Sequence, residues 1–159
     1  MKRSNTVVPF WRAEEMNRSF HLSEKIGLFL REAEESIKKP EFRKKLLNLH
    51  HMGETSADEL IHYLKRQKEE TGAPLPHRQH VLVEHFRDPA NLNDVKQTVL
   101  HTLWGGRVNR PFALTLSASW EEKYNYPLEV FVNNDCIMLN LPHVFSAGDI
   151  LELVRPALN

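Results

Sequence analysis

Apolar residues recur along this chain with two different periods, and the change falls near Pro76. In the first half Leu22, Ile26, Phe29, Ala33 and Ile37 are spaced 4, 3, 4 and 4 apart, which predicts one apolar stripe on a helix. Glu32, Glu34, Glu35, Lys38 and Lys39 include most of its opposite face. Pro40 ends that helix and opens a second, on which Phe42, Leu46 and Leu49 align. Ser56-Ala57-Asp58-Glu59 fits a capping box before Leu60, Ile61 and Leu64. This third helix runs to about Glu70 and stops at Thr71-Gly72, with Pro74 beyond it. Its end, Lys65-Arg66-Gln67-Lys68-Glu69-Glu70, reads as a solvated charged face.

Beyond Pro76 the period shortens. His80–Phe86 reads as a strand, 87–94 as a polar loop, and Gln97–Trp104 as a second strand pairing antiparallel with the first. A helix from Asn109 to about Lys123 follows. Leu128, Val130 and Val132 then alternate. Asn133-Asn134-Asp135 predicts a hairpin turn, because Asn and Asp tolerate positive φ. Ile137, Leu139 and Leu141 form the return strand, Pro142 ends it, and a last helix runs from Ser146 through Val154. A short extended arm at 6–12 precedes everything. The fold class expected is α+β: N-terminal helices, then a β-β-α-β-β-α unit whose four-stranded, mostly antiparallel sheet carries packed helices. The expected division is 1–74, an arm and helical segment, and 75–159, an α/β portion that looks truncated at its C-terminus.

Composition narrows the function classes. Twenty-one basic residues balance 21 acidic ones, whereas a free-standing nucleic-acid binder is usually more basic. Any nucleic-acid contact should be a local patch or shared with other domains. The single cysteine, Cys136, excludes an internal disulfide framework and suits a reducing cytosol. No apolar run approaches the roughly 18 residues of a membrane span, so no membrane partner and a cytoplasmic location are expected. His77 and His80, the adjacent His50 and His51, and Cys136 with His143 lack paired metal-ligand spacing, so no metal is expected. Ser117 and Ser119 lie in a helix without an elbow motif, and Glu84 and His85 point apart on a strand, so no catalytic residue is assigned.

The segment with most chemistry is Trp104-Gly105-Gly106-Arg107-Val108-Asn109-Arg110-Pro111. Two glycines permit a sharp turn after a strand. Asn109 can cap a helix and Pro111 suits its first turn. Arg107 and Arg110 stand beside a helix start, where free N–H groups attract anions. This spacing is not the GxxxxGK[ST] of a phosphate loop, so ATP hydrolysis by this piece is unsupported. Nucleic-acid contact is better supported: Trp11, Arg12, Arg78, Trp104, Arg107, Asn109 and Arg110 supply stacking faces and phosphate donors. The competing reading makes Trp104 and Trp120 core residues and the arginines surface ion-pair partners.

Five segments in order carry a family resemblance. They are Val8–Glu14 (VPFWRAE), the helix Leu22–Arg31, and Leu75–Phe86 with its LP element and VxE strand. The fourth is Val99–Pro111 (VLHTLWGGRVNRP), and the fifth is the Asn134-Asp135-Cys136 hairpin. Together they resemble the DEAD/H-associated domain of large helicase-related (Lhr-like) proteins, superfamily-two ATP-dependent helicases. Ala13 stands where the family usually has glycine, and His77–His80 departs from its threonine–aspartate–arginine run. The resemblance implies a non-catalytic accessory fragment that supports DNA or RNA binding or unwinding beside motor and winged-helix domains of the same chain. No cofactor is implied in the fragment itself; ATP and Mg belong to the motor domains. The alternative is a structural or protein-interaction module that does not contact nucleic acid.

Overall fold

A computed structural model of the chain describes residues 17–86, 96–142, 145 and 147–154. Helix α1 (Phe20–Ser36) is capped by Ser19, whose hydroxyl accepts from the Leu22 N–H at 3.2 Å. Its buried side is Ser23, Gly27, Ala33 and Ile37, so the expected apolar stripe holds only in its C-terminal half. Leu22 is half exposed, because small residues are needed underneath where other segments cross. Helix α2 (Pro40–Asn48) buries Phe42 and Leu46, and α3 (Glu54–Thr71) buries Ala57 and Leu64. The capping box at Ser56 is not used. Helix α3 begins earlier, with Gly53 as its N-cap, and ends as expected on the left-handed Gly72. These helices and Leu75 enclose one hydrophobic cluster.

Strands β1 (Leu82–Phe86), β2 (Lys96–His101), β3 (Glu129–Val132) and β4 (Cys136–Leu141) form one sheet in the order β1-β2-β4-β3, every pair antiparallel. Between β2 and β3 runs α4 (Gly106–Tyr124), and α5 (Ala147–Val154) closes the chain order. The register puts Val83, Leu100, Ile137 and Val132 in one cross-strand row. That row, with Leu139 and Leu141, faces Ala113, Leu116 and Trp120 of α4 and Ile150 of α5. Trp120 is fully buried, its ring 4.5 Å from Tyr124 and 4.7 Å from Phe145. The α+β expectation holds. No helix among the described residues is long and apolar enough to cross a membrane.

The hairpin forms where Asn133-Asn134-Asp135 predicts it, but by a different device. The left-handed non-glycine residues among those described are His51, Leu103 and Asn125, none of them in this turn. Instead the Asn133 side-chain oxygen accepts from the N–H groups of Asp135 (2.7 Å) and Cys136 (2.8 Å). Such a bond lets an Asn side chain shape a turn while φ stays negative.

Candidate nucleic-acid interface

The strand β2 stops at His101 rather than Trp104 because Leu103 turns left-handed, at φ 58°. Gly105 follows at φ 86°, ψ 153°, a conformation open essentially to glycine alone. The corner is sewn to the hairpin by Leu103 N–H to Asp135 O and Gly105 N–H to Asn134 O, both 2.9 Å. Helix α4 therefore starts at Gly106, three residues before the position read from sequence. Its first N–H donates to the Asn134 side-chain oxygen at 2.9 Å, an external cap supplied by the hairpin. Asn109 is not the cap. It is fully buried, accepts from the Thr102 hydroxyl at 2.8 Å and donates to Asn133 O at 3.0 Å. Pro111 lies inside the helix, past the first turn, so the carbonyl of Arg107 loses its intrahelical donor there.

The expected anion corner is thus filled by protein. A Cβ on Gly106 would lie 2.3 Å from the Asn17 side-chain oxygen and 3.2 Å from that of Asn134. A Cβ on Gly105 would meet Ser23 Oγ at 2.7 Å and Arg18 O at 2.8 Å. The glycines admit the segment leading into α1. No signal in the sequence marked Arg18, yet it holds this segment down. Its guanidinium donates to Ser23 Oγ (3.0 Å), Leu103 O (3.0 Å), Asn134 O (2.8 Å) and Asp135 Oδ1 (2.6 Å). Its backbone N–H donates to the Asn134 side-chain oxygen at 2.8 Å. The contacts are polar and lie up to 117 residues apart in sequence, so neither apolar periodicity nor local motif reveals them.

The other predicted residues separate into three groups. Arg78 and Trp104 come together on a narrow crevice also bordered by Phe20, Ser23, Gly27 and Leu103. Arg78 crosses α1 at Gly27, where a Cβ would meet its backbone nitrogen at 3.1 Å, and its Nε pairs with Glu24 at 3.1 Å. Trp104 is half-buried, its ring edge-on to Phe112 at 5.3 Å, so it is part platform and part packing. Phe20, 55% exposed, is an aromatic face the sequence reading did not single out. Arg107 and Arg110 are exposed on α4, one turn apart, and Arg107 has no ion pair among the described residues. Asn109 faces the interior and cannot reach a phosphate from there. Trp11 and Arg12 lie outside the described residues.

Buried polar pairs carry the cost of losing a partner, about 1–3 kcal/mol per stranded group. We expect Asn109→Ala to lower stability by about 2 kcal/mol, since it strands the Asn133 carbonyl and leaves the Thr102 hydroxyl only its long 3.5 Å bond to Asp135 O. Chemical denaturation of the wild type and variant measures this.

A second polar junction joins α1 to α3. Glu34 pairs with Lys68 and also accepts the Leu75 N–H at 2.9 Å. Burial pushes the Glu34 carboxyl upward, but the Lys68 and Leu75 hydrogen bonds outweigh it and hold the group below its ordinary 4.5. Because the folded-state value is depressed, the stabilisation is complete above about pH 4.5 and is lost as pH falls through the lower folded value. Thermal unfolding measured from pH 6 to pH 3 should show a smaller acid decline for Glu34→Gln than for the wild type.

The chain is a small α+β fold with a closed glycine corner and exposed arginines, in which the positions beside the two glycines are taken by Asn17 and Asn134. Residues 75–158, more than half of the chain, match the DEAD/H associated family, and the chain belongs to that family. The "Lhr helicase/ probable uracil glycosylase" of Mycolicibacterium smegmatis (strain ATCC 700084 / mc(2)155) is 31% identical over 135 residues. That match covers 85% of this chain and 9% of the relative, so the chain spans under a tenth of the curated protein's length. The solved structure of Mycobacterium smegmatis helicase Lhr bound to ssDNA and AMP-PNP aligns with a TM-score of 0.68 and 26% identity. It covers 96% of this chain and 20% of that one. The Lhr-type resemblance read from the ordered motifs therefore holds.

Proposed function

We infer that this chain acts as an accessory module of an Lhr-type ATP-dependent helicase, contacting nucleic acid beside the motor and performing no catalysis itself. The observation that carries this is the alignment of nearly the whole chain with a helicase solved with single-stranded DNA. In this reading ATP and Mg²⁺ serve motor domains of the parent protein, in the cytoplasm. The motor and winged-helix domains are the module's neighbours, and residues 1–74 and 75–159 are its two parts. Trp104, Phe20 and Arg78 offer two aromatic faces beside a guanidinium, the combination that stacks on bases and contacts phosphate. Arg107 and Arg110 extend the cationic surface along α4. Trp11 and Arg12 remain candidates for the same strand. DNA is favoured over RNA only by what the relative was solved with.

The experiment is fluorescence-anisotropy titration of single-stranded DNA with the parent helicase carrying Arg107→Ala and Arg110→Ala. Two lost phosphate contacts should lower the slope of log K against log salt by about 1.4 and weaken binding roughly tenfold at low salt. Both arginines are exposed, so stability should be unchanged. Unaltered affinity and slope would end this assignment. The rival, a purely structural module, has one specific observation behind it: Arg18, Asn109 and Asn134 spend their polar groups on internal architecture.

A further inference from the structure

The described surface holds a second cationic site, far along α1 from the Trp104 crevice. A cleft of about 440 Å³ opens between the C-terminal end of α1 and the outer turns of α3. It is lined by Ile37, Lys38, Lys65, Lys68 and Glu69. Ile37 is buried and forms an apolar floor. Lys38 and Lys65 are exposed at the rim and have no ion pair among the described residues. Lys68 is mostly buried and held by Glu34, so it adds hydrogen-bonding capacity with its charge already balanced. Lys38 also complements the dipole at the end of α1. That role does not account for Lys65, which lies well before the last turn of α3.

The cleft and the crevice lie towards opposite ends of the segment Leu75–Arg78, since cleft residue Lys68 and Leu75 both bond Glu34 while Arg78 borders the crevice. Glu24, Gly27, Arg31 and Glu34 are spaced 3, 4 and 3 apart, close to the helical repeat, so they share the side that the segment Leu75–Arg78 crosses, and Lys38 follows two residues past the end of α1. At one end Arg78 crosses Gly27 and pairs with Glu24. In the middle Lys68 and the Leu75 N–H meet Glu34. At the far end stands Lys38. The helical rise makes the distance from Glu24 to Lys38 about 20 Å. That is about six phosphates at the stacked spacing of one strand, and far more than one phosphate group spans.

We propose that Lys38 and Lys65 form a second phosphate-contact site, so that a single nucleic-acid strand runs from this cleft over the outside of the segment Leu75–Arg78 to the Arg78–Trp104 crevice. The proposal rests on the nucleic-acid reading above and adds the helical segment to it. The strand's phosphodiester oxygens accept from the two lysines over the Ile37 floor. Glu69 opposes them, which limits affinity and makes its removal informative.

The test uses the full 159-residue chain and a fluorescent 20-nucleotide oligo-dT at about 50 mM salt. Lys38→Glu with Lys65→Glu should weaken binding about tenfold or more and lower the salt slope by about 1.4. Lys25→Glu with Lys44→Glu makes the same change in net charge on exposed lysines away from this track, and should cost much less. Glu69→Gln should strengthen binding several-fold, a gain that a folding defect cannot mimic. Inorganic triphosphate, too short to span the track, should bind at least tenfold more weakly than the strand. Equal losses in the two lysine pairs would reduce the effect to net charge and overturn the proposal. Triphosphate binding as tight as the strand would overturn the strand assignment. Loss with Arg107→Ala and Arg110→Ala but none with the Lys38 and Lys65 pair would overturn this site and leave the proposed function standing. No binding of oligo-dT by the wild-type chain would overturn this site; the parent-helicase titration then decides the proposed function separately.

Discussion

Gly105→Ala should destabilise the protein by about 3 kcal/mol or more. Alanine at φ 86°, ψ 153° occupies a region that costs a non-glycine residue about 1–3 kcal/mol. Its methyl would also lie 2.8 Å from a backbone carbonyl, that of Arg18, which cannot swing aside as a side-chain end can. The neighbouring Gly106→Ala should cost less, although its closest contact is shorter at 2.3 Å. That contact is the tip of the Asn17 side chain, which has a rotamer to move into. For a chain of this size, about 3 kcal/mol corresponds to a fall in Tm of roughly 6–12 °C. Calorimetry on the two single variants gives the order directly. A larger loss at Gly106 than at Gly105 would show that the corner's strain has been misassigned.

Arg18→Ala should cost about 3 kcal/mol, by a different route. The side chain is 15% exposed and donates to two backbone carbonyls, a hydroxyl and a carboxylate. Asp135 is 57% exposed, so its ion pair is screened and contributes little. The loss comes mainly from Leu103 O, stranded without a donor at about 1–3 kcal/mol, and from the bonds to Ser23 Oγ and to Asn134 O, which keeps the Gly105 N–H. Arg18→Lys should recover only part of this, because one ammonium cannot reproduce a fork that reaches several acceptors. Urea unfolding of both variants measures the difference. Gly105→Ala and Arg18→Ala disturb the same contact, so the double variant should lose less than the sum of the two.

These outcomes separate architecture from contact. Gly105, Asn109 and Arg18 are expected to act on stability, because their groups are enclosed. Arg107, Arg110, Lys38 and Lys65 are expected to act on binding, because theirs are exposed. A variant of the first kind lowers binding only by lowering the folded population, which a melt detects independently.

Where the sequence speaks through repeated apolar spacing, it is legible. Phe42, Leu46, Leu64, Leu139 and Leu141 are all buried on the elements their periods predict. Pro40 opens α2 and Gly72 ends α3, because both act through their own backbone restrictions. Errors concentrate where a polar group has two possible partners. Asn109 is a good cap in isolation, but the fold offers it Thr102 and Asn133 and hands the cap to Asn134. Ser56 fits a capping box, yet α3 starts ahead of it because the chain turns into the helix at Gly53.

The sequence by itself determined the element order, the α+β class, the hairpin and the family, since each rests on local backbone preference, periodic burial or ordered motifs. Only the tertiary structure decided that the glycine corner is closed, that Arg18 ties it to α1 and the hairpin, and which cations share a surface. The physical reason is that these depend on single hydrogen bonds and close approaches between distant segments. Such contacts leave no period in the sequence.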